Sequence, residues 1–92
     1  MLSENQVKFF DLLEQAPYLS NCFCSEDRTY DPEALSELLT RVSHGEKIMA
    51  QFFVGLWRNK NSMEFNLFDA ANTLDTNNRK IIIDWFKEPF WP

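Results

Sequence analysis

The stretch SHGEKIMAQFFVGLWR, residues 43–58, decides the fold. Ile48, Met49, Phe52, Phe53, Leu56 and Trp57 fall at i, i+1, i+4, i+5, i+8 and i+9, a broad apolar face at helical period. Ser43 with Glu46 three residues on makes a capping box, so a helix is predicted to open there. A face this wide must be covered on several sides. The helix at about 44–58 is therefore expected to be the spine of the protein. Gly45 reads as the terminator of the helix before it. Gly55, inside the helix, costs roughly 1 kcal/mol relative to Ala and reads as a point of close helix packing.

Towards the N-terminus, Asp31-Pro32-Glu33 is a second helix start. Asp caps, Pro suits the first helical position, and Glu suits the positive end of the dipole. Leu35, Leu38, Leu39 and Val42 form its apolar stripe. Residues 17–30 show no sustained period and read as a long loop that holds both cysteines. Before it, Ser3 and Gln6 make another capping box, and Leu2 and Val7 a hydrophobic staple. Apolar residues from Val7 to Ala16 recur at helical spacing until Pro17, which predicts a helix over 4–15.

Towards the C-terminus, residues 58–62 are polar and aperiodic, a turn. Asn66 caps a short helix carrying Leu67, Phe68, Ala70, Ala71 and Leu74. Asp75 or Thr76 caps a last helix through Ile81, Ile82, Trp85 and Phe86, which Pro89 stops. Three consecutive isoleucines would also suit a buried strand, but the caps favour helix. The expected fold class is all-α: a compact bundle of four to five short helices, one domain over residues 1–92. Two glycines and four prolines are too few for the turns of a sandwich or barrel.

Ninety-two residues exclude a multidomain enzyme and a doubly wound nucleotide-binding fold of ordinary size. The net charge of −5 is not that of a basic nucleic-acid binder. Charge is uneven: residues 1–46 hold nine acids and three bases, and residues 47–92 hold five acids and six bases. The acidic half can mark a surface for a basic partner, or can simply cap and solubilise the first helices. No run of apolar residues is long enough for a membrane span, and the first residues lack the basic and apolar regions of a secretory signal. The expected location is the cytoplasm, with Cys22 and Cys24 reduced.

Nucleophilic catalysis needs a nucleophile held by a base, usually histidine, and His44 is the sole histidine. It reads as a solvent-facing residue at a helix junction. A metal site could draw on Cys22, Cys24 and His44, with Glu26, Asp27 or Asp31 as a fourth ligand. A Cys-x-Cys pair with one distant histidine falls short of structural zinc spacing. The plainer reading is two thiols packed as small hydrophobes. Glu26, Asp27, Asp31 and Glu33 read as solvated charges rather than as an acid–base pair. Neither glycine belongs to a phosphate-binding motif. Arg58, Lys60, Arg79 and Lys80 near Trp57 and Trp85 could touch a single strand, but four bases make a weak footprint.

The tail, Glu88-Pro89-Phe90-Trp91-Pro92, holds two large aromatics between prolines. Exposed, they are natural hot spots for a partner. Folded back, they finish a small core short of buried area.

The pattern Ala50-Gln51-Phe52-Phe53 through Leu56-Trp57, then Phe65-Asn66-Leu67-Phe68-Asp69, then Leu74-Asp75, resembles small uncharacterised bacterial proteins classed as domains of unknown function. The resemblance covers residues 44–86 and departs at Asn66, where those proteins carry Asp. It implies a bacterial, cytoplasmic helical domain and brings no activity, cofactor or catalytic residue.

Missing catalytic constellations and surplus aromatics lead to one expectation. The protein acts as a non-enzymatic module that binds another macromolecule, with a homodimer as one form of that binding. Trp57, Phe90 and Trp91 are the candidate partner-binding residues, and no cofactor, catalytic residue, membrane contact or direct nucleic-acid binding is expected. Two alternatives stand beside it: a metal- or thiol-dependent site at Cys22, Cys24 and His44, and an acidic mimic that blocks a basic nucleic-acid-binding protein.

Overall fold

Each helix begins where a side chain can satisfy the first free backbone N–H groups. In the computed structural model, which describes residues 2–92, helix α1 (Glu4–Leu13) opens with the Ser3–Gln6 capping box. Asp31 caps α2 (Pro32–Leu39), and the Ser43–Glu46 box caps α3 (His44–Arg58). Asn66 caps α4 (Leu67–Thr73), and Asp75 caps α5 (Thr76–Lys87), its carboxylate accepting from the Asn78 N–H at 2.8 Å. The triple isoleucine is helical, and Asp75 rather than Thr76 is the cap.

Helix α3 is the spine. It buries seven side chains, Ile48, Met49, Ala50, Phe52, Phe53, Val54 and Leu56. Phe9 and Leu13 of α1, Leu35 of α2, Ala70 and Leu74 beside α4, and Ile81 of α5 close around it. Phe9 sits at the centre of an aromatic cluster, with ring centroids of Phe10, Phe23, Phe53 and Trp57 at 5.1–5.7 Å. Such edge-to-face and tilted pairs add about 0.5–1.5 kcal/mol each beyond the area they bury.

The all-α expectation needs correction at residues 17–30, which are ordered rather than an irregular loop. Pro17–Cys22 forms a 3₁₀ helix, and Phe23–Cys24 (β1) pairs antiparallel with Thr29–Tyr30 (β2). Ala16, Leu19 and Cys22 are all buried, at a spacing of three. That is the 3₁₀ period, on which i and i+3 eclipse. Phe23 is buried on the hairpin and stacks on Tyr30 at 5.5 Å. Leu19 and Cys22, which no helical period picks out, are thus core anchors. Helix α1 ends at Leu13, two residues before its expected end, as the chain tightens towards Pro17.

Gly45 does not terminate α2. That helix ends at Leu39, with Thr40 as its cap, and Gly45 lies in the first turn of α3. The Ser43 capping box forces this, because it makes Ser43 the N-cap and His44, one residue before Gly45, the first residue of α3.

Candidate interaction groove

Helix α3 ends on Asn59, whose backbone is left-handed at φ 54°. Asparagine tolerates that region and so closes a helix well. The chain then doubles back, and the Lys60 N–H bonds to the Gly55 carbonyl at 3.1 Å. The returning chain passes beside Gly55, where a Cβ would make an ordinary contact with the Lys60 carbonyl oxygen at 3.5 Å. Asn61 clasps the loop. Its side chain accepts from the Phe65 N–H at 2.6 Å and donates to the Phe65 carbonyl at 3.0 Å. The clasp sets Phe65 and Leu67 on one side of an open groove.

Helix α5 and the tail make the other side. At about 100° per residue, Ile81 and Trp85 share the core side of α5, while Ile83 and Phe86 fall on a second face and Ile82 lies between. Ile81 is buried, but Phe86 stays 72% exposed. The tail folds back: the Trp85 indole N–H donates to the Phe90 carbonyl at 2.9 Å, and Trp91 packs edge-on against Trp85 at 5.4 Å.

The result is an apolar groove of about 270 Å³. Buried Phe52 and Leu56 form its floor, and Phe65, Leu67, Ile82, Trp85, Phe86 and Trp91 its walls. Leu67 is 62% exposed and Trp91 47% exposed at the rim. Two depressions continue it. One of about 140 Å³, between α4 and α5, shares Leu67 and Ile82 and ends at Arg79. The other, shallow and of about 510 Å³, shares Lys60 and holds Thr29, Tyr30, Trp57 and Arg58. Among the described residues no carboxylate lines any of the three, although the protein carries fourteen acids.

The residues singled out from sequence are not gathered at one place. Trp91 lines the groove. Trp57 packs on Phe9, Phe10 and Phe23 and borders the Arg58–Lys60 depression. Phe90 faces α1, where the Lys8 ammonium stands 6.0 Å from its ring. Sequence reading missed Leu67, Ile83 and Phe86 as exposed groups. For Ile83 and Phe86 the signal was present, since apolar residues occupy more than one face of the twelve-residue α5, which has one core to bury them in.

His44 stands away from the cysteines. Its Nε2 lies 3.0 and 3.2 Å from the two Asp69 carboxylate oxygens, tying the start of α3 to α4, and Thr73 donates to the same carboxylate at 3.2 Å. Burial and the nearby Asp31 carboxylate push the Cys22 thiol above its ordinary range. That is opposite to what a reactive thiolate needs. Cys24 lies 3.7 Å from an Asp27 oxygen. Among the described residues, no group of three His, Cys, Asp or Glu side chains is placed to hold a metal ion. No described helix is long and apolar enough to cross a membrane.

Compared with known families, curated proteins and solved structures, the chain gives no match.

Proposed function

We propose that this protein is a non-enzymatic interaction module whose docking surface is the groove between α3, α4, α5 and the tail. One observation carries the reading. Leu67, Phe86 and Trp91 stand exposed around a depression whose floor is already apolar. Scattered exposed hydrophobics are ordinary on a small protein, but a contiguous concave set is where partner segments dock. Aromatics around a small cavity supply the large contact areas that dominate binding energy. The proposal keeps Trp91 of the three residues expected from sequence as a direct contact. It includes the cytoplasmic location expected from the sequence.

The test is a selection of displayed peptides on the wild-type protein, counter-selected on Phe86→Asp. The substitution places a charge at a largely exposed position, so the fold is kept. Enriched peptides that lose binding to the variant support the reading. Failure to enrich any peptide above the counter-selected background contradicts it.

A further inference from the structure

The groove has cations at both ends and apolar side chains between. Arg79 closes the α4–α5 end, and Lys60 and Arg58 border the other. No carboxylate interrupts this line, in a protein whose net charge is −5. Of the acids nearby in sequence, Asp84 pairs with Lys80 at 2.6 Å, Asp69 with His44, and Asp75 caps the Asn78 N–H, while Glu64 and Glu88 are exposed outside the groove lining.

The groove also offers little hydrogen bonding. The Asn61 amide is used on Phe65 and the Trp85 N–H on Phe90, which leaves Gln51 and Lys60 as the polar groups of the central depression. An extended peptide laid here would leave backbone groups without partners over apolar surface. The β2 strand beside the far depression is two residues long and cannot template an added strand. A helix satisfies its own backbone and presents only side chains.

Resting on the reading of the groove as a docking surface, we infer that its occupant is an acidic amphipathic helix of a protein partner. Its apolar stripe fills the space between Leu67 and Phe86, and carboxylates flanking the stripe meet Arg79 at one end and Lys60 and Arg58 at the other.

The experiment uses three tryptophan-free helical peptides of about sixteen residues, long enough to be helical when bound. They share one Leu/Phe stripe and differ only in flanking residues: Glu, Gln or Lys. Emission of the three tryptophans, Trp57, Trp85 and Trp91, in the full-length protein reports binding. The Glu peptide is expected to bind about tenfold tighter than the Gln peptide at low salt, and the Lys peptide weakest. The preference should shrink from about 0.05 M to about 0.5 M salt. Arg58→Gln/Lys60→Gln/Arg79→Gln should bring the Glu peptide down to the affinity of the Gln peptide, with a wild-type far-ultraviolet helix signal showing that the variant is folded. Equal binding of the Glu and Gln peptides overturns the charge assignment alone. Binding of none overturns the docking surface itself. A dimer in sedimentation that Phe86→Asp dissociates overturns the partner in favour of a second copy.

Discussion

The Trp85 indole N–H donates to the Phe90 carbonyl at 2.9 Å. This bond holds a proline-bounded tail against α5 and sets Trp91 as one wall of the groove. Trp85→Phe keeps an aromatic ring and removes the donor. Stability should fall by about 1 kcal/mol, the net worth of a typical internal hydrogen bond. Trp91 should then become more accessible to a soluble quencher. Unchanged unfolding and unchanged quenching would mean that the tail is held by other contacts.

Gly55→Ala separates folding from binding. The added methyl stands 3.5 Å from the Lys60 carbonyl oxygen, an ordinary contact. Replacing a helical glycine by alanine stabilises by up to about 1 kcal/mol. Gly55 also lines the groove, so the same methyl takes up part of the space. Denaturant unfolding should show a higher midpoint, and peptide titration a weaker affinity. A gain in both would place the bound segment away from Gly55.

Alkaline pH should unfold this protein early. Burial, with the Glu46 and Asp75 carboxylates nearby, pushes the Tyr18 hydroxyl up to about 12 from 10.0. Burial also raises Tyr30 and Cys22. The folded state therefore keeps these protons where the unfolded chain has lost them. Their contribution is fully present below the unfolded value and is lost as pH rises through the folded one, between about 10 and 12 for Tyr18. Spectroscopic titration should show one tyrosine ionising only near 12, together with loss of ellipticity. Two tyrosines titrating normally in folded protein would contradict this.

Tyr18→Phe tests the same site at neutral pH. Among the described residues, the buried Tyr18 hydroxyl has no hydrogen-bond partner. An unsatisfied buried hydroxyl costs about 1–3 kcal/mol, so its removal should leave stability unchanged or higher. A clear loss would mean that the hydroxyl has a partner in solution.

The thiols should differ sharply. Cys22 is buried in the core, and Cys24 is half-buried on the hairpin. A thiol reagent should modify Cys24 in native protein and Cys22 only on unfolding. Rapid modification of both would return the Cys22–Cys24 loop to consideration as a reactive site.

What was legible in the sequence was what is local. The caps at Ser3, Asp31, Ser43, Asn66 and Asp75 are read from one to four adjacent residues, and each stands in the structure. The spine was equally plain, since its apolar face repeats over fifteen residues. The 3₁₀ segment escaped because Ala16, Leu19 and Cys22 repeat at three in a stretch too short for periodicity to speak. The hairpin escaped because two-residue strands carry no alternation. The groove was hidden for another reason. That Phe86 and Leu67 stay exposed while Phe52 is covered depends on how α4, α5 and the tail settle on α3, and no single segment encodes it.

Amide and indole NMR spectra of the labelled protein, recorded while the Glu-flanked peptide is added, would test the docking surface most directly. Saturable shifts should gather at Gly55, Lys60, Leu67, Phe86 and the Trp91 indole, and leave α1 and α2 unmoved. Shifts centred on α1 and α2, or none that saturate, would contradict the groove as the place where this protein binds.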